Sequence, residues 1–155
     1  MSEAPFDVQR AHRWFAVELN NVAWELVEAP QRSPEEVEQM IHAAHGACFH
    51  WLKAGILLNH LRAPCLLATA YVTAGLPESA VRHAERCLSL SAEAGQNQTA
   101  FDRATVHGCA SLAYAAAGRT NEAVAQHRLA CSAAEALDDP SERSVFDRLY
   151  PAPGG

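Results

Sequence analysis

LLATAYVTAGLPESAVRHAERCLSL, residues 66–90, reads as two helices folded back on each other across Gly75-Leu76-Pro77. A second copy, LAYAAAGRTNEAVAQHRLACSAAEAL, occupies residues 112–137. Setting Tyr71 on Tyr114 places Gly75 on Gly118, Ala80 on Ala123 and Val81 on Val124, all at one offset of 43 residues. The physical reading is direct. Tyr71 and Tyr114 fill the space between two helices, and the alanines nine residues later let the second helix approach closely. Glycine at the corner permits the left-handed backbone that ends a helix.

Carried outward, the periodicity predicts an all-α chain. Alanine fills 31 of 155 positions and β-branched residues are sparse, which favours closely packed helices over sheet. A first helix is expected over 6–28, with Ala11, Phe15, Leu19, Val22 and Leu26 on its core face and Val17, Asn20, Asn21 and Trp24 on a second stripe. Ser33-Pro34-Glu35-Glu36 carries a cap, a first-position proline and first-turn acids for a second helix ending at Gly55. Its core stripe is Val37, Met40, Ile41, Ala44, Ala47, Cys48 and Trp51. A third helix, about 56–74, contains Pro64, where a kink is expected. Helices follow from Pro77 to about Gly95, from Ala100 to Ala117 and from Asn121 to Leu137. Ser141 is expected to cap a last short helix whose Val145, Phe146 and Leu149 would cover the exposed side of the final hairpin.

The spacing of Leu67, Ala68, Tyr71, Gly75, Ala80 and Cys87, matched by Ala110, Ser111, Tyr114, Gly118, Ala123 and Ala130, resembles the tetratricopeptide repeat (TPR), a helix-turn-helix of about 34 residues. Pro64 and His107 stand where that repeat has a tryptophan, and Ala84 and His127 replace its second-helix aromatic. The copies lie nine residues further apart than the usual period, so SAEAGQNQTAFDR lengthens the connection or its flanking helices. VELNN, AAHGACFHW and RHAERCL extend the likeness to small uncharacterised bacterial TPR-like proteins. The resemblance implies a single TPR-like domain over 1–155, an α-solenoid of about three stacked antiparallel hairpins. These are a degenerate first one at 6–55, repeats at 56–95 and 99–137, and a capping helix at 141–149. It supplies no activity.

Net charge −6 argues against nucleic acid and anionic membrane as partners. No apolar run approaches the ~18 residues of a span, and MSEAPFDVQR lacks the apolar run of a secretory signal. Cysteines at 48, 65, 87, 109 and 131 form no CxxC pair, and their odd number suits buried free thiols in a reducing cytoplasm. The last four are spaced by 22 residues, which slips by one against the repeat frame and is read as coincidence.

Chemistry-bearing motifs are few. His42, His45 and Cys48 spiral around their helix by about −60° per step, which argues against a metal site. His83 and His127 each precede a cysteine by four residues, but both cysteines fall in a packing stripe, so no catalytic residue is assigned. No cofactor is expected. A groove along the first helices of the hairpins would carry Arg62, Cys65, Thr69, Gly108 and Leu112, which lack the basic residues with which some TPR domains grip carboxylate tails. The richest candidate surface is Asn20, Asn21, Trp24, His45, His50, Trp51, Asn59 and Arg62, in elements expected to be neighbours. Two functions follow. One is a non-enzymatic module binding a protein, a peptide or a second copy of itself as a homodimer, with a long open groove. The alternative is a small-molecule or metal-binding protein with a closed pocket where Asn20, Trp24, His45 and Arg62 converge.

Overall fold

Capping chemistry sets the helix boundaries. The computed structural model describes residues 6–154, and among them it contains seven α-helices and no strand. These are α1 (Val8–Glu28), α2 (Pro34–Ala54), α3 (Leu57–Thr73), α4 (Pro77–Ala94), α5 (Ala100–Ala116), α6 (Thr120–Ala134) and α7 (Pro140–Leu149). None is long and apolar enough to cross a membrane. Residues 1–5, part of the stretch expected to lack a secretory signal, lie outside the described residues.

Asp7 caps α1 by accepting from the Arg10 N–H. The Arg32 guanidinium closes the other end on the carbonyls of Leu26, Val27 and Ala29. Helix α2 begins with the expected capping box: Ser33 Oγ accepts from the Glu36 N–H and Glu36 accepts from the Ser33 N–H. Ser33→Ala should cost about 1 kcal/mol of stability in urea unfolding. A change near zero would show that Pro34 and Glu36 hold this start alone.

The two repeat corners are the same structure. Gly75 and Gly118 both have φ +72°. Leu76 N–H bonds to the Tyr71 carbonyl (2.9 Å) and Arg119 N–H to that of Tyr114 (2.8 Å), the six-to-one bond of a Schellman turn. The extra residues between the copies extend α4 to Ala94 and add a 3₁₀ turn, Gly95–Asn97. Gln98 holds that turn from inside, donating to the Ser91 and Gly95 carbonyls and accepting from Ser91 Oγ.

Helices pair as hairpins α1–α2, α3–α4 and α5–α6, while α1, α3, α5 and α7 touch in series along one side. Helix α3 lies at the centre and runs unbroken through Pro64. Leu66, Leu67 and Ala70 pack with Ala23, Val27, Met40 and Ala44 of the first hairpin. Leu61, Cys65 and Ala68 pack with the alanine-rich interface of α4, α5 and α6. Alanines with no exposed surface line every crossing (16, 23, 44, 47, 68, 80, 84, 110, 123 and 130), so backbones approach closely.

Three expectations need correction. Phe15 is exposed, and the buried line of α1 is Ala16, Ala23 and Val27 with Leu19, Val22 and Leu26 at its edges; close packing on α2 selects the small side chains. Asp139, not Ser141, caps α7, because Pro140 takes the first helical position and Asp139 accepts from the Ser141 N–H and hydroxyl. Helix α7 does not cover the outer side of the last hairpin. It turns back onto α5, and Arg148 reaches Glu28 on α1 at 3.0 Å.

Candidate functional site

The return of α7 turns the side formed by α1, α3 and α5 from an open groove into a pocket of about 300 Å³. Residues one helical turn apart face it from each wall: Asn20, Trp24 and Glu28 from α1, Leu61 and Cys65 from α3, Asp102 and Val106 from α5, Val145 and Leu149 from α7. Tyr150 closes the deep end. Its ring lies so close to Gly108 that an added Cβ would meet Tyr150 Cγ at 2.5 Å. Gly108, which sequence placed on an open groove, is therefore the seat of the chain's own C-terminal tyrosine.

The polar wall is an ion pair. Arg62 Nε donates to Asp102 Oδ1 at 2.7 Å and Nη2 to Oδ2 at 3.1 Å, a two-point contact. The Asp102 side chain is 2% exposed and that of Arg62 53%. Asp102 also caps α5, accepting from the Thr99 N–H and hydroxyl while Thr99 Oγ1 accepts from its own N–H. Burial pushes the Asp102 carboxyl up, but the bonds from Arg62 and Thr99 outweigh it and hold the group below its usual range. Arg62 lines the pocket, and its bonds to Asp102 use two of its five N–H donors.

The structure brings Asn20, Trp24 and Arg62 together in this pocket, but not the rest of the expected set. Asn21 is exposed on another face of α1. His45 lies across α3 from the pocket, where its Nε2 meets the Tyr71 hydroxyl at 2.8 Å and its ring abuts His83. Tyr71 is consequently half-buried and stacked on His83, whereas Tyr114 is buried beneath the Arg119 guanidinium. Burial, then the His42 charge, lowers the His45 pKa; burial, then His45 and Arg82, lowers that of His83. His50 pairs with His12, Nδ1 to Nδ1 at 2.7 Å, beside Phe15 and Phe49. Trp51 is half-buried and its carbonyl meets His60 Nε2. Asn59 is used at the start of α3, where its side chain accepts from the Ile56 N–H. His12–His50 and His45–His83 are thus two separate pairs.

A second depression of about 250 Å³ lies between α2, α3 and α4, lined by Cys48, His60, Pro64 and His83. Burial raises the Cys48 thiol to about 11, which suits packing rather than nucleophilic work.

The cysteines overturn two expectations. Cys131 is exposed, its Sγ 3.4 Å from His127 Nε2, instead of lying in a packing stripe. In the repeat frame Ala130 corresponds to buried Cys87, and one further residue turns the side chain about 100° around the helix. The 22-residue spacing, read as coincidence, brings three thiols together. The Sγ atoms of Cys65, Cys87 and Cys109, from α3, α4 and α5, lie within 4.8 Å of one another in the core. The spacing is close to half the 43-residue offset, so it places cysteines at matching depth on the successive helices α3, α4 and α5; that was the available signal.

No protein-family model matches this chain, and neither does a curated protein or a solved structure.

Proposed function

We propose that this chain is a non-enzymatic binding protein, an α-solenoid of TPR-like hairpins, whose concave side holds a small amphipathic molecule. The observation that carries this reading is the closure of that side by α7. The pocket left behind has about 300 Å³, the lower end of the range for small-molecule sites. An extended peptide would have to displace Tyr150 and the Arg148–Glu28 pair, whereas a compact ligand need not. Its apolar body would lie against Trp24, Phe101, Val145 and Leu149, and an accepting or anionic group would meet Asn20 and the free donors of Arg62. Binding is favoured over turnover because the carboxylate facing the pocket is neutralised by Arg62 and fixed by Thr99. The five free cysteines suit a reducing, cytoplasmic setting.

A second reading rests on a different surface. Trp14 (58% exposed), Phe49 (53%) and Leu52 (66%) are exposed on the first hairpin and Ile56 (67%) just after it, with Trp14 against Phe15 and both Phe15 and Phe49 against His50. Such exposed apolar side chains suit a protein partner or a second copy of the chain.

Native mass spectrometry of the untagged protein separates the two. The pocket reading expects a monomer that retains an organic molecule, lost in Trp24→Ala and kept in Phe49→Ala. A ligand-free dimer that becomes monomeric in Phe49→Glu would replace it with the second reading.

A further inference from the structure

We propose that Cys65, Cys87 and Cys109 form a site for a soft metal ion satisfied by three sulfur ligands, monovalent copper being the ion whose chemistry it fits. The inference does not rest on the pocket's having an organic ligand.

Ligand number and geometry come first. With the three sulfurs no more than 4.8 Å apart, an ion at their centre lies within about 2.8 Å of each, against ~2.3 Å for a metal–thiolate bond, so small rotamer shifts close the site. The ligands come from three different helices, packed through alanines, so the triangle is held by the core rather than by a loop. Among the described residues no histidine or carboxylate joins the group.

Ligand type then selects the ion. Thiolates favour Cu(I), Zn(II) and iron–sulfur clusters. Structural zinc takes four protein ligands, and among the described residues no fourth ligand side chain joins these three. The step is an exchange without electron transfer. Cu(I) leaves its donor, a Cu–S bond forms at each of the three sulfurs as its S–H bond breaks, and the protons go to solvent.

An entry path exists. Cys65 forms part of the pocket floor, beside Tyr150, so an ion delivered to the pocket mouth is next to the first of the three sulfurs. Each thiol otherwise meets only a helix carbonyl: Cys65 that of Thr105, Cys87 that of Leu61, Cys109 that of Cys65, at 3.6–3.8 Å.

The test is anaerobic titration of the full chain with Cu(I) held by a chromophoric chelator, with X-ray absorption on the loaded wild type. One Cu(I) per chain should leave the chelator, with a shell of three sulfurs and no nitrogen. Cys87→Ala and Cys109→Ala should weaken binding about a hundredfold or more, while Cys48→Ala and Cys131→Ala should not change it. Circular dichroism checks that each variant folds. If the core variants do not, the sulfur count from the wild type decides alone. Binding unchanged by Cys87→Ala, a shell containing nitrogen, loss on Cys131→Ala, or tighter retention of zinc than of copper would each overturn the proposal.

Discussion

Gly108→Ala should destabilise the protein by about 3 kcal/mol in the wild-type background and by nothing, or less than nothing, once Tyr150 is alanine. A new Cβ would meet Tyr150 Cγ at 2.5 Å and both Cδ atoms at 2.9 Å. That ring is buried and follows directly on α7, so relief requires moving the helix end rather than the tip of a flexible chain. Tyr150→Ala alone should cost about 3–5 kcal/mol, the range for truncating a buried aromatic. With the ring gone, the space above residue 108 is open, and alanine is favoured over glycine inside a helix by up to about 1 kcal/mol. The sign of the Gly108 effect therefore reverses between backgrounds, and a urea double-mutant cycle reads it directly. Two additive losses would mean that α7 does not rest on α5 in solution.

The second large effect concerns the ion pair and is asymmetric. Arg62→Met should cost about 2–4 kcal/mol, because it strands a carboxylate that is almost fully buried, with only the Thr99 N–H and hydroxyl left to it. Adding Asp102→Asn should recover most of that loss, since an amide keeps an acceptor for the Thr99 N–H without the charge. Acidity gives an independent readout. In the wild type the folded Asp102 pKa lies below its unfolded value near ~3.9, so its contribution is present above about pH 4 and is lost as pH falls through the lowered folded pKa. Without Arg62 the folded value rises, so the cost of the stranded carboxylate should shrink as pH falls and the group is protonated. Equal acid profiles for Arg62→Met and wild type would show that the pair does not form.

How much of this was legible in the sequence differs from element to element. The corners at Gly75 and Gly118 and the box at Ser33 and Glu36 are written in residues a few positions apart, where local chemistry decides. Asn20, Trp24 and Arg62 were singled out because recognition-type residues on neighbouring helices are few in an alanine-rich chain, and they do line one pocket. His45 misled because its partner is Tyr71, 26 residues away on the opposite side of α3. The trithiol cluster was visible as a spacing, but a one-residue slip against the repeat concealed that three of the four positions share a depth. The destination of α7 had the weakest signal. Its amphipathic turn could cover any apolar surface, and its seat is a glycine, which marks a contact only by lacking a side chain.

The Arg148–Glu28 contact joins residues 120 positions apart, and that separation bears on the order of folding. Hairpins that touch only their neighbours can form and melt piecemeal. A last helix that bridges back to the first has no complete docking surface until α1, α3 and α5 are in place. Its addition therefore bears the loop-closure entropy of nearly the whole chain and belongs to the final, slow stage of assembly. In native-state hydrogen exchange α7 should be the first unit to open, and its opening should precede that of α3. Until it docks, the chain exists as a cradle of three hairpins with Trp24 and Gly108 exposed to water. That interval, during synthesis or after local opening, is when the side lined by α1, α3 and α5 is most open.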